Sequence, residues 1–278
     1  IHFKLFSLLT GDGTQDIILS PQYDEFYAKN VHKNFGDIGT TIKDLMDTFN
    51  LKRKGQKEIT SIADMKEFVE GYPAFKKLSG TVSKHLSVVG HLSNLVARYN
   101  LLEISRLEQE LVVYPDHSSV VQRLKLLVTD PKVRKHDVLR LILLYALRYE
   151  RSSSSQVEDL CRMTGDSRVA PAVKGFLRYG GAAHRSLDLF GTQDPVRITQ
   201  RLFKGLKEDL IVFVVGGVTY EESLAVASFN ALHLKPSTGS GNQSNPRPRV
   251  ILGGTNVLNS KAFLEQIIPT LFSEMERE

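Results

Sequence analysis

Apolar residues recur every three or four positions through most of this chain and gather into short runs only near its ends. Tyr27, Val31, Phe35, Ile38, Ile42, Leu45 and Phe49 trace one stripe at that spacing, which predicts helix from about Asp24 onward. Ile62, Met65, Phe68 and Val69 form a second stripe behind Ser61-x-x-Asp64, a capping-box-like start. Pro73 follows. Proline has no backbone donor and restricts the residue before it, so this helix is expected to end or kink there. Val82, Leu86, Val89, Leu92, Val96 and Tyr99 carry another long run, and the two runs read as a helical hairpin whose tip Pro73 marks. Further helix is expected through "ISRLEQELVV" (Ile104 to Val113). After the turn "YPDH" (Tyr114 to His117), helices are expected near 118–129, 135–149, 156–163, 168–179 and 194–206. The last begins with Asp194-Pro195, a good cap followed by proline in the first turn. "RSSSSQ" (Arg151 to Gln156) reads as a polar loop and "LKRKGQK" (Leu51 to Lys57) as a solvated linker.

The pattern changes at Asp209. "IVFVVGGVTYEESLAV" (Ile211 to Val226) is an apolar run, a glycine pair and a helix-like run, and "RVILGGTNVLNSKAFLEQI" (Arg249 to Ile267) nearly repeats it. Two such units joined by a long loop predict a parallel βαβα arrangement. "DIILS" (Asp16 to Ser20) predicts a strand at the other end. The expected fold is therefore an α/β parallel-sheet domain made from both chain ends. A large all-helical domain with a helical hairpin, roughly residues 21–207, interrupts it.

Composition narrows the class. The chain is 41% hydrophobic and 24% charged, ordinary for a globular protein. Its formal charge of +5 is a mild excess, compatible with resting near an anionic membrane surface and too weak to argue for nucleic acid. "VLRLILLYALRY" (Val138 to Tyr149) is shorter than the roughly 20 residues of a membrane span and contains Arg140, so it reads as a core helix. The one cysteine, Cys161, allows no intrachain disulfide and no cysteine-based metal site, which favours a reducing compartment, most simply the cytosol.

Candidate chemistry is sparse. A phosphate loop needs a lysine and a hydroxyl after its glycines. After Gly216-Gly217 come Val218, Thr219, Tyr220, Glu221 and Glu222, and after Gly253-Gly254 come Thr255 and Asn256. The bland reading is that the glycines permit tight turns, with Thr219 or Asn259 capping the helices and Glu221 and Glu222 set against a helix dipole. The histidines show no metal-binding spacing; His85 and His91 are six apart. "RYGGAAHRSLDLF" (Arg178 to Phe190) is either a binding loop or a closing turn. An α/β phosphate- or nucleotide-binding enzyme with a helical lid is the alternative reading, and it predicts saturable heat on nucleotide titration.

Four stretches carry a family resemblance: "DEFYAKNVHKNFGDIG", "SIADMKEFVEGYPAFKKLSGTVSKHL", "RLILLYALRYE" and "IVFVVGGVTYEE". Together they resemble the SM (Sec/Munc) proteins, which bind syntaxins and template SNARE assembly, and among them the branch acting in trans-Golgi, endosomal and vacuolar traffic. The resemblance implies an α/β domain 2 over residues 1–20 and 208–278, a helical domain 3a over 21–113 and a helical domain 3b over 114–207. The family's domain 1 and a helical segment between the equivalents of Leu206 and Asp209 have no counterpart here. It implies no enzymatic activity, no cofactor and no metal. The partners would be a syntaxin-type SNARE and a vesicle SNARE, and membrane association would run through them, making the protein peripheral on trans-Golgi and endosomal membranes. It further implies that Phe75, Leu78, Val82, His85, Leu86 and Val89 contact SNAREs, and that Pro73 switches the hairpin between furled and extended forms. From periodicity alone intradomain packing is the favoured reading of these apolar residues, and the resemblance reverses it for Leu86.

Overall fold

The structure, a computed structural model, describes residues 4–10, 13–54, 62–113, 116–185, 190, 209–233 and 249–268. The described part is mostly helical, with a few short strands. The chain divides between Arg98 and Tyr99 into two units, taken in turn below.

In the first unit, β1 (Lys4–Thr10) and β2 (Gly13–Leu19) form an antiparallel hairpin, registered from Lys4 opposite Leu19 to Thr10 opposite Gly13. Ile17 and Leu19 are buried and Ile18 is exposed, as alternation along a strand requires. Helix α1 (Glu25–Asn30) starts at Asp24, whose Oδ1 accepts the Tyr27 amide at 2.9 Å. The stripe drawn from Tyr27 to Phe49 is split between two helices. Asn34 starts the second, α2 (Phe35–Lys54), by accepting the Asp37 amide at 2.9 Å and donating to the Asp37 carboxylate.

Helix α3 (Ile62–Arg98) runs 37 residues and corrects the expectation for Pro73, which lies inside it and neither ends it nor marks a tip. Proline costs about 3 kcal/mol relative to alanine in a helix interior. Packing that follows it in the helix offsets that penalty. Two residues on, the Phe75 ring stacks on Phe49 of α2 with centroids 5.5 Å apart, and Val82 is buried further along. The arms that pack are thus α2 and α3, not the halves of α3. The capping start at Ser61 lies outside the described residues.

The second unit opens at Tyr99 and Asn100. The Arg134 guanidinium covers the Tyr99 ring at 4.6 Å, and Asn100 takes a left-handed φ of 53° and donates to Asp130 at 3.1 Å. Then come α4 (Leu101–Val113), α5 (His117–Thr129), α6 (Lys135–Tyr149), α7 (Val157–Met163) and α8 (Val169–Gly180). The last four match the expected helices to within a residue. The helix expected at 194–206 lies outside the described residues. Ile104, Leu107, Leu111, Leu124, Ile142 and Leu160 are among the side chains of one buried cluster. At its edge, Tyr145 is fully buried, with its hydroxyl 2.9 Å from His117 Nε2 and accepting the Gln156 amide at 3.0 Å.

The βαβ expectation holds in this unit. β3 (Leu210–Val214) pairs in parallel with β5 (Val250–Gly254), and β4 (Val218–Thr219) with β6 (Val257–Leu258). Helices α9 (Tyr220–His233) and α10 (Ser260–Ile267) follow the two glycine turns. Asn230 of α9 donates to the Val250 carbonyl and accepts its amide, both at 2.9 Å, standing in for a neighbouring strand.

One further expectation is corrected: among the described strands, β1 and β2 pair with each other alone and do not extend a sheet from the other chain end. The chain divides at 98–99, within the residues expected as domain 3a. Cores explain it: Ile17 and Leu19 cluster with Val88 of α3, whereas α4 contributes Ile104, Leu107 and Leu111 to the helices that follow.

Gly217 has a φ of 113°, and a β-carbon there would lie 2.9 Å from Leu258 Cγ and 3.0 Å from the Asn256 carbonyl oxygen. Gly216 has a φ of 118° but open space around it. Gly217→Ala is expected to lower unfolding free energy by about 2–3 kcal/mol, strain plus overlap, and Gly216→Ala by about 1 kcal/mol, strain alone. Urea unfolding of the two variants checks the order; equal losses would refute it.

Candidate functional site

Helix α3 carries every residue expected to form the site, and the structure separates them by depth. Pro73 is exposed, Phe75, Leu78 and Val89 are half-buried, and Leu86 is 39% exposed. Val82 and His85 are buried and present no side chain to a partner, contrary to their expected role. The inward face is Val82, His85, Val88 and Leu92, and Val88 and Leu92 pack with Ile17, Leu19 and Tyr27. That spacing of three and four is the helical repeat.

His85 is inside because a carboxylate meets it there. Asp24 Oδ2 lies 2.9 Å from His85 Nε2 and also accepts from the Lys84 ammonium, while Oδ1 caps α1. A carboxylate only accepts, so neutral His85 carries its proton on Nε2. The Phe26 ring closes the other side of the imidazole, centroids 4.5 Å apart. Burial alone would raise the Asp24 carboxyl, but the Lys84 ammonium, the Tyr27 amide and His85 together hold it below its ordinary 3.8. Burial outweighs the pull of Asp24 at His85 and lowers it below 6.5. The pairings of Asp24 with Lys84 and His85 span 60 and 61 residues of chain, and no local pattern signals them.

Other candidates resolve as structure. Thr219 and Glu222 form a reciprocal capping box: the Thr219 amide donates to Glu222 Oε2 at 2.7 Å, and the Glu222 amide to Thr219 Oγ1 at 3.2 Å. Asn259 accepts the Ala262 amide at 2.8 Å, so both suggested caps are real. The Gly216 amide, which a phosphate would need, donates to Thr255 Oγ1 at 3.0 Å. At the "RYGG" turn the Ala182 amide donates to Glu150 at 2.6 Å and its carbonyl accepts from Arg151 at 3.2 Å, which is a closing turn. Cys161 is buried, and burial pushes its thiol up, away from reactivity. A cavity of about 350 Å³ lies between Val133, Lys135, Asp166 and Arg168. Asp166 holds the Arg168 guanidinium there at 2.7 Å. Among the described residues there is no group of three metal-ligating side chains, and no helix is long and apolar enough to cross a membrane.

Both shifts in the buried cluster give one sign of pH dependence. Below 6.5 the unfolded chain protonates His85 first, so stability present above that pH is lost as pH falls toward the folded value. The contribution of Asp24 is present above 3.8 and is lost as pH falls through its lowered folded value. His136, also lowered by burial, adds in the first window. His85→Gln retains a donor for Asp24 but does not titrate. The decline in urea midpoint from pH 7.5 to 5 is therefore expected to be shallower in His85→Gln; identical declines would show that His85 does not contribute.

The Sec1 family model matches residues 8–170 and 191–266. Vacuolar protein sorting-associated protein 45 of Rattus norvegicus is 40% identical over 311 aligned residues, which cover 95% of this chain and 52% of that protein. Its Dictyostelium discoideum counterpart is 35% identical, with 94% and 52% covered. The chain thus spans about half the length of these relatives. Among solved structures, the SM protein Vps45 in complex with the Qa SNARE Tlg2 superposes with a TM-score of 0.72 at 33% identity, covering 92% of this chain and 51% of that one. The Unc18–syntaxin 1 complex from Monosiga brevicollis, at 14% identity and a TM-score of 0.60, agrees in fold. With most of its residues inside the family match, and helices and strand pairs that superpose on solved members, the chain belongs to the Sec1 family.

Proposed function

We propose that this chain is the SNARE-templating part of a non-enzymatic chaperone. It binds a syntaxin-type SNARE and a vesicle SNARE, aligns them for assembly, and works on trans-Golgi, endosomal or vacuolar membranes through those partners. Family membership supports this, as does the relative solved with a Qa SNARE. The division into domains 2, 3a and 3b belongs to the same reading of the whole protein.

The observation that carries it is the outward face of α3. Gly80, Ser83, Leu86, Ser87, Gly90 and Ser93 are all exposed and fall on one side of the helix. A β-carbon at Gly80 or Gly90 would touch nothing. Small side chains let another helix approach closely, and Leu86 supplies one apolar anchor between them. SNARE motifs are disordered alone and lose conformational entropy on folding. A rigid helix that holds two of them in register raises their effective concentration for each other.

Leu86→Asp is expected to weaken binding of a vesicle-SNARE motif by about ten- to a hundredfold, since a carboxylate would meet an apolar partner. Its effect on folding should stay within about 0.5 kcal/mol, as for most surface changes. Val82→Asp, at a buried position, should instead unfold the hairpin unit. Calorimetric titration with the SNARE motif and circular dichroism check both; a Leu86→Asp chain that melts far below wild type, or binds as wild type does, overturns the assignment.

Pro73 belongs to the same reading as a switch between furled and extended hairpins, the extended helix being the form that offers the binding face. Pro73→Ala removes about 3 kcal/mol of local helix penalty and shifts the population toward the extended form. Faster SNARE-complex assembly than with wild type is expected, and equal or slower assembly would exclude the switch.

A further inference from the structure

We propose that Asp24 is a positioning residue for this binding face: it fixes the rotation of α3 about its own axis and so decides which side chains meet the partner. The proposal rests on the reading of α3 given above. Apolar contact is non-directional, so a helix lying on Ile17, Leu19 and Tyr27 is held down by that bed but only softly held against turning. Consecutive helical residues point about 100° apart. Lys84 and His85 are consecutive, and both reach the same oxygen of Asp24. Two directional bonds from side chains that diverge around the axis bracket the carboxylate, and a turn of α3 in either direction breaks one of them.

Asp24 is itself anchored through its backbone and its other carboxylate oxygen. Its amide donates to the Ser20 carbonyl at 2.9 Å, its carbonyl accepts the Ala28 amide at 2.9 Å, and its second oxygen caps α1. Phe26, on the first turn of α1, blocks the far side of the His85 ring. Leu86 is the next residue along α3, so its outward direction follows from where His85 is held. Leu86 lies only about 40° around the axis from Val82, so a turn that carries Leu86 into the cluster brings Val88 out and keeps Val82 inside, while a turn the other way exposes Val82 beside Leu86; either turn removes the contrast between positions 86 and 82.

Thiol labelling of single added cysteines reads that rotation directly, because Cys161 is buried and serves as an internal slow control. Leu86→Cys and Val82→Cys are compared in the 278-residue chain, each with Asp24 intact, with Asp24→Ala and with Asp24→Asn. Asparagine can still cap α1 through its oxygen, but its NH2 then stands in place of Oδ2, so it offers Lys84 neither charge nor acceptor and meets His85 only as a donor, with the imidazole in its other tautomer. With Asp24 intact, position 86 should label at least about tenfold faster than position 82. Asp24→Ala should bring the two rates within about threefold and weaken vesicle-SNARE binding about tenfold, or 1.4 kcal/mol. Asp24→Asn should fall between.

An unchanged labelling ratio in Asp24→Ala overturns the proposal and leaves Asp24 a helix cap. If the ratio collapses but SNARE affinity does not change, the rotational role stands and the reading of α3 as the binding face fails. Should Asp24→Ala unfold the unit, Asp24→Asn decides: a wild-type ratio and affinity in that variant overturn the proposal, and an intermediate ratio with weakened binding supports it.

Discussion

A carboxylate removed from water destabilises a fold by several kcal/mol unless cations and donors meet it. Among the described residues, each unit contains one such buried group. Asp24 in the first unit is met by Lys84, His85 and the Tyr27 amide. Asp137 in the second is fully buried, with Arg134 Nε at 2.7 Å and Arg140 Nη1 at 2.9 Å. Arg140 continues to Glu108 of α4 at 2.5 Å and to Ser260 of α10 at 2.9 Å, so one guanidinium ties three helices together. The apolar clusters decide what is buried. The carboxylates decide orientation, because their bonds are directional and breaking one leaves a charge uncompensated.

The parts of this fold legible in sequence are those set by neighbours a few residues apart. Helices α5 to α8 follow from apolar stripes, and the caps at Thr219 and Asn259 act across three residues. The glycine turns were readable as turns, and Gly217, left-handed and pressed against Leu258, shows why glycine is needed there. What depended on distant partners was not readable. β1 carries too mixed a sequence to declare itself without β2 beside it. Pro73 breaks a helix by local rules, and only packing such as Phe75 on Phe49 reverses that outcome.

The candidate site shows the same limit more sharply. The stripe Val82, Leu86, Val89 placed Leu86 on the apolar side of α3. The buried side is Val82, His85, Val88 and Leu92, turned by about one residue position, and it admits a histidine that hydropathy would send outward. The difference lies in Asp24, 61 residues before His85. Periodicity finds a face but not its rotation when a polar residue inside is matched by a polar partner elsewhere.

That rotation leaves an outward face poor in apolar area, and this suits the proposed function. A continuous apolar strip along so long a helix would associate with itself or with any exposed segment. A face of glycine and serine with one leucine buries little area per turn, so it holds a partner helix chiefly through close backbone approach. Affinity from such a surface is modest, because the ordering entropy of a disordered partner opposes it. Modest affinity is what a template requires: the aligned helices must leave once their own pairing, which buries far more apolar surface than either makes with α3, becomes the more stable arrangement.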